Sequence, residues 1–101
     1  MIMRVSWGKI RPGMWDRFEQ LWKESAVRMN GTAGLAGHWL LRDTEQENAG
    51  YSMSLWESAD AMNAASEMRQ LTPEMNDCFT GQYVLTTCEV RGTEPAGLPG
   101  S

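Results

Sequence analysis

Residues 2 to 10 alternate between two apolar sets, Met3, Val5 and Trp7 against Ile2 and Ile10, the period-two pattern of a β-strand covered on both sides. From residue 14 to 30 the spacing changes to three and four. Trp15, Phe18, Trp22, Ala26 and Met29 fall on one stripe, which predicts an amphipathic helix. Pro12-Gly13 turns the chain into that helix, and Asn30-Gly31 stops it, because Gly accepts the left-handed conformation at a helix C-terminus. Residues 35–42 read as a second strand, 43–50 as a polar connection and 51–56 as a third strand, antiparallel to the second if the connection is a simple hairpin. Ser58 caps a second helix running from 59 to about 71, with Met62, Ala65 and Met68 inward. Thr72-Pro73 opens a short helical turn, and residues 82–91 form the last strand. The Gly/Pro-rich remainder reads as a flexible tail, which divides the chain into a domain at 1–91 and a tail at 92–101.

The order β-α-β-β-α-β predicts an α+β, ferredoxin-like fold with one antiparallel four-stranded sheet. Two helices cover only one face of such a sheet, so a monomer needs polar residues on the other. Both faces read as apolar. Tyr51, Met53 and Leu55 oppose Trp56, and Leu35, Trp39 and Leu41 alternate with Ala36, His38 and Leu40. A sheet face of that kind left in water exceeds the apolar patch a monomer usually carries, so a homodimer packed sheet to sheet is expected.

The composition, 101 residues with 42% hydrophobic and 22% charged, fits one small domain whose core a second subunit would enlarge. A formal net charge of -4, with nine basic residues scattered singly, argues against nucleic acid or an anionic membrane as partner. No apolar stretch approaches the roughly 20 residues that span a bilayer. The N-terminus enters a strand without a signal-peptide layout, so a cytoplasmic protein with reduced thiols is expected. Cys78 and Cys88, the two cysteines, have no CxxC or metal-type spacing and read as structural thiols.

Pro12-Gly13 ahead of a helix carrying Phe18, Gly34-Leu35-Ala36-Gly37 opening a strand that ends Leu41-Arg42-Asp43, and the junction Trp56-Glu57-Ser58 together carry a family resemblance. Over residues 2 to 91 the chain resembles the dimeric α/β-barrel proteins, and among them the antibiotic biosynthesis monooxygenases. The resemblance implies a barrel formed between two subunits, with a pocket in each between helices and sheet. It also implies cofactor-free oxygenation of quinols, haem degradation or turnover of signalling molecules as candidate activities, and fold alone does not choose among them. The Asn, Trp and His of the haem-degrading relatives correspond here to Ser6, Ala65 and roughly Met75. That departure argues against haem cleavage. A His that other relatives place near position 65 is also missing.

His38, the only histidine, can serve as a general base at neutral pH, although a lone strand histidine is more often a core or interface residue. Pairing of residues 42 and 51 would set His38 opposite Leu55 and away from the Trp56 face, and a one-residue slip would reverse this. Five tryptophans are many for this length. Trp15, Trp22, Trp39 and Trp56, with Phe18, are candidate walls of an aromatic pocket, and Trp39 and Trp56 are placed on one sheet face. The plain alternative is that they fill a small core. Ser6, Ser52, Ser54 and Tyr51 are candidate anchors for a phenol or quinone. Asp43, Glu45 and Glu47 lack the glycine turn of a calcium loop and read as solvated, so no metal is implied. The expected activity is a cofactor-independent monooxygenase acting on a small aromatic or polyketide-like quinol or phenol, with no cofactor of its own. The alternatives are a non-catalytic small-molecule-binding or stress-associated protein, and a cyclase or isomerase.

Overall fold

The computed structural model describes residues 1–66 and 71–94. Its elements are β1 (Ile2–Ile10), α1 (Trp15–Met29), β2 (Leu35–Arg42), β3 (Ala49–Trp56), α2 (Ala59–Ala64), α3 (Pro73–Asp77) and β4 (Phe79–Glu89). The four strands pair antiparallel in the order β2-β3-β1-β4. This is the ferredoxin-like α+β layout that the hydrophobic pattern predicts.

Local chemistry explains where the elements begin. The Ser58 hydroxyl accepts from the Ala61 N–H and opens α2, while Thr72 accepts from the Met75 N–H with Pro73 in the first turn of α3. Several boundaries move from their expected places: α2 ends at Ala64 with Ala65 as its C-cap, not near residue 71, and β4 ends at Glu89, not 91. β3 starts at Ala49 because Ala49 and Gly50 still pair with Lys9 and Gly8, and β4 starts at Phe79, which pairs with Ile10 beyond an irregularity in the ladder. The expected continuation of the second helix through residues 67–70, Met68 included, lies outside the described residues, as do residues 95–101 of the tail.

Register corrects three expectations about the sheet. Arg42 pairs with Gly50, so the hairpin sits one residue away from a 42–51 pairing and His38 lies opposite Ser54, not Leu55. A bulge between Leu35 and Gly37 sets Leu35 against Trp56 on the helix side. Trp39 pairs with Met53 and faces away from the helices, so Trp39 and Trp56 stand on opposite faces, because neighbouring side chains alternate along a strand.

The two faces therefore differ more than the sequence pattern suggests. Away from the helices, Val5, Met53 and Trp39 form one cross-strand row and Trp7, Tyr51 and Leu41 the next. Leu41, Tyr51 and Val84 are 45%, 38% and 54% exposed there, an apolar surface open to solvent. Under the helices, two small cores occupy opposite ends of β1. Ile10, Trp15, Phe18, Met75 and Cys78 close one end, and Trp56, Met62 and Ala65, backed by Ile2 and Leu35, close the other. Between them the helix side of the sheet is polar. Its rows are Arg4–Ser54–His38 and Ser6–Ser52–Leu40.

Candidate functional site

A cavity of about 140 Å³ lies over that polar band. Phe18 and Trp22 of α1 wall it on one side, Met75 and Phe79 close one end, and Tyr83 and Leu85 of β4 form the open rim. The helical spacing of three to four that builds the α1 stripe is what brings Phe18 and Trp22 over the sheet. Phe18 meets Phe79 edge-on with ring centroids 5.2 Å apart, and Phe79 meets Tyr83 in the same way at 6.0 Å. Such tilted aromatic contacts hold each ring in place.

The floor is a hydrogen-bonded array. The Trp22 indole N–H donates to the Ser52 hydroxyl at 2.9 Å, and the Trp56 indole N–H donates to the Ser54 hydroxyl at 2.9 Å. Ser6 donates its hydroxyl to the Ser52 carbonyl at 3.2 Å. The Trp22 and Trp56 indoles thus find their acceptors on strand serines, which are themselves half-buried.

His38 stands at the β2 side of this floor, its ring tilted 44° to Trp22 with centroids 5.3 Å apart. Burial lowers its pKa below the ordinary 6.5, so the imidazole is neutral at pH 7. No hydrogen bond to either ring nitrogen is present among the described residues. The geometry leaves a neutral imidazole beside a cavity, with a lone pair available to a bound proton donor.

Among the residues expected at the site, Ser6, Phe18, Trp22, His38 and Ser54 line this one cavity. Trp15 lies beside it, in an adjoining depression of about 20 Å³ near Gly50, with its indole N–H on Glu19 at 3.2 Å and the Arg42 guanidinium 5.1 Å above its ring. Trp56 is fully buried and meets the site through Ser54. Trp39 as a pocket wall is corrected by the register, which sets it on the open face. Tyr51, in register with Trp7, falls on that face too. Arg4, Ser25 and Tyr83 line the cavity and are absent from the sequence reading. The available signal for Arg4 is that it shares strand parity with Ser6 and Ile2.

The acidic loop after β2 makes its own turn. The Asp43 carboxylate accepts from the Glu45 and Gln46 backbone N–H groups at 2.8 and 2.9 Å, and these bonds lower its pKa. Among the described residues no group of three or more His, Cys, Asp or Glu side chains is placed to hold a metal ion. Cys78 is buried and Cys88 exposed, both as free thiols. No helix among the described residues is long and apolar enough to cross a membrane.

Residues 1–72 match the family model of the antibiotic biosynthesis monooxygenases. The chain belongs to that family. No curated protein matches it in sequence. Proteins of solved structure share its fold at low identity. The chain is similar to SnoaB, a cofactor-independent oxygenase from Streptomyces nogalater, at 18% identity over 93% of this chain and 96% of that one, with a TM-score of 0.74. MhuD, a haem-degrader from Mycobacterium tuberculosis, is 20% identical over 89% of this chain and 95% of its own, with a TM-score of 0.71. A conserved protein from Methanosarcina mazei reaches a TM-score of 0.79 at only 12% identity, over 89% of this chain and 92% of that one. Likeness at this level carries the ferredoxin-like architecture and not the chemistry. Of the three positions singled out by the family resemblance, Ser6 is on the cavity floor, Ala65 is 6% exposed within one core, and Met75 is 4% exposed in the other.

Proposed function

We propose that this chain is a cofactor-independent monooxygenase that oxidises a small aromatic quinol with O₂, and that it acts as a homodimer paired through the open sheet face. One observation carries the reading. The helix side of the sheet is polar where it meets an aromatic-walled cavity, and the one histidine stands there, its pKa lowered by burial, beside the Trp22 ring and with no hydrogen bond to its ring nitrogens among the described residues. An engineered cavity of about 150 Å³ holds one benzene ring, so about 140 Å³ suits a substrate with one ring inside the cavity. It falls below the roughly 300–1,000 Å³ of sites for larger ligands.

In this mechanism a His38 ring nitrogen takes a hydroxyl proton from the bound quinol. The resulting quinolate, flanked by Trp22 and Phe18 in a partly dry pocket, passes one electron to O₂. Superoxide and the semiquinone then combine at a ring carbon to form a C–O bond. Cleavage of the O–O bond releases water, which carries the ring hydrogen and the proton returned by His38. In sum, a quinol C–H and O₂ become a hydroxyquinone and H₂O, with one oxygen atom in each product. The substrate supplies all the electrons. The Ser52 hydroxyl, which accepts from the Trp22 indole, offers its proton to a quinol oxygen and orients it.

The apolar rows on the other face support the dimer. Val5, Trp7, Trp39, Leu41, Tyr51 and Met53 share that face, and pairing two copies there removes the surface from water. Oxygen uptake by chelator-treated protein with a small quinol tests the chemistry. One O₂ consumed per hydroxyquinone formed, lost by about 100-fold or more in His38→Ala, is the expected result. Product formed without oxygen would instead identify a cyclase or isomerase, and binding without turnover a non-catalytic binding protein. Either outcome overturns the proposal. Sedimentation that finds only monomer at micromolar concentration would overturn the dimer.

A further inference from the structure

The floor of the cavity offers hydrogen-bond donors in excess of acceptors. Ser52 and Ser54 each accept an indole N–H through the hydroxyl oxygen, and neither donates its own hydroxyl proton to a described residue. A serine hydroxyl carries one proton and two lone pairs, so each keeps a proton to offer. Arg4 extends the pattern. It is half-buried, lines the cavity, and makes no hydrogen bond or ion pair among the described residues, whereas the ion pairs seen there, Lys23–Glu19 and Arg91–Glu89, lie on the exposed surface. No described carboxylate lines the cavity. A half-buried guanidinium with no counter-charge among the described residues leaves its donors free for an anionic ligand, which supplies that charge. In a chain of net charge -4 this local reversal of sign stands out.

The register gives the spacing. Arg4, Ser54 and His38 are directly opposed across β1, β3 and β2 on the helix side. Adjacent strands lie about 4.8 Å apart, which separates the Arg4 and His38 backbones by roughly 10 Å with Ser54 between them. One aromatic ring bearing a carboxylate fits that span. Its carboxylate meets the planar guanidinium and the Ser54 hydroxyl, and its ring hydroxyl reaches the His38 nitrogen.

We propose that the cavity selects aromatic acids, with Arg4 and Ser54 as the carboxylate site and the ring hydroxyl directed at His38. This deepens the monooxygenase reading and rests on it for the role of His38, while the carboxylate site itself does not require turnover. The probes are 2,5-dihydroxybenzoate and its neutral amide, 2,5-dihydroxybenzamide, titrated without oxygen by calorimetry. The acid is expected to bind about tenfold or more tightly than the amide, as charge-assisted bonds to a guanidinium dictate. Arg4→Gln should bring the acid down to the affinity of the amide and leave the amide within about twofold of its wild-type value. Arg4→Lys, which keeps the charge without the planar fork, should retain part of the preference. Circular dichroism on each variant separates loss of the site from loss of the fold. If Arg4→Gln unfolds, Arg4→Lys and the acid–amide ratio of the wild type decide. Equal binding of acid and amide by the wild type overturns the proposal, as does binding of neither at millimolar concentration. An Arg4-dependent preference without oxygen uptake would keep the acid site and sink only the monooxygenase reading. Oxygen uptake on a neutral quinol with no preference for the acid would do the reverse.

Discussion

Gly50 is the position where one added methyl group should cost most. A Cβ built there lies 2.5 Å from the Leu41 carbonyl oxygen and 2.7 and 2.9 Å from the Trp15 indole ring. Ordinary carbon contacts sit near 3.5–4.0 Å, so the methyl must displace neighbours by about 1 Å. The carbonyl belongs to the β2–β3 ladder and cannot rotate aside, and Trp15 is held by Phe18 at 5.9 Å, by Glu19 and by the overlying Arg42. Overpacking of this kind costs about 1–3 kcal/mol, and a clash with two rigid neighbours belongs to the upper part of that range. Against this, Ala loses less backbone freedom on folding than Gly, which returns about 0.5–1 kcal/mol in an ordinary strand conformation. Gly50→Ala should therefore destabilise by about 1–2 kcal/mol net. For a domain of this size that corresponds to a fall in Tm of roughly 5–15 °C. Thermal unfolding followed by far-UV circular dichroism gives the number, with wild type and variant compared at one protein concentration because a dimer's Tm depends on it. Gly92→Ala, where nothing lies within 4 Å of the new Cβ, is the control and should stay within about 0.5 kcal/mol. A Gly50→Ala protein as stable as wild type would refute the tight seating of Trp15 on the sheet.

Three further outcomes follow from the site. Because burial depresses the His38 pKa, below pH 6.5 the unfolded chain takes up a proton that the folded chain resists. Stability should be flat above neutrality and decline as pH falls from about 6.5 toward the lower folded value, and this decline should vanish in His38→Gln, a difference read from paired Tm–pH curves. Trp22→Phe keeps an aromatic ring but removes the donor to Ser52, and should lower stability by about 0.5–1.5 kcal/mol in urea denaturation. Trp22→Phe/Ser52→Ala should lose less than the sum of the two single changes, which a double-mutant cycle measures. Cys78, whose thiol pKa burial raises, should resist a thiol reagent until denaturant is added, whereas exposed Cys88, in register with Met3 on the open face, should label in the native state and, with the proposed dimer, faster on dilution.

Much of the fold was legible in the residues. The switch from period two to spacings of three and four marked β1 and α1, Ser58 and Thr72 marked two helix starts, and the order of elements led directly to the sheet. The site was legible only in part, for a definite reason. Assigning a strand residue to a face requires the register, and a change of one position inverts every assignment. The Arg42–Gly50 pairing and the bulge before Gly37 moved His38 to the helix side with Ser54 and left Trp39 on the other, neither of which the local sequence encodes. Tryptophan content was a sound guide to aromatic walls but not to which rings they are. Trp22 lines the cavity, Trp56 acts through Ser54, and Trp39 joins the apolar rows of the open face. Arg4 escaped notice because one charged residue in a strand ordinarily marks the solvent side. Its meaning appears only when the helix side is seen to be the polar one.

The central claim is that a neutral His38 faces a cavity that binds a small aromatic, and the chain carries only this one histidine, so every imidazole NMR signal is its own. A pH titration of that signal, free and with 2,5-dihydroxybenzoate under nitrogen, is the most direct measurement. An apparent pKa below 6.5 in the free protein and a signal displaced by ligand in the wild type are the expected results. A pKa at the ordinary value together with a signal that ignores the ligand would contradict the claim.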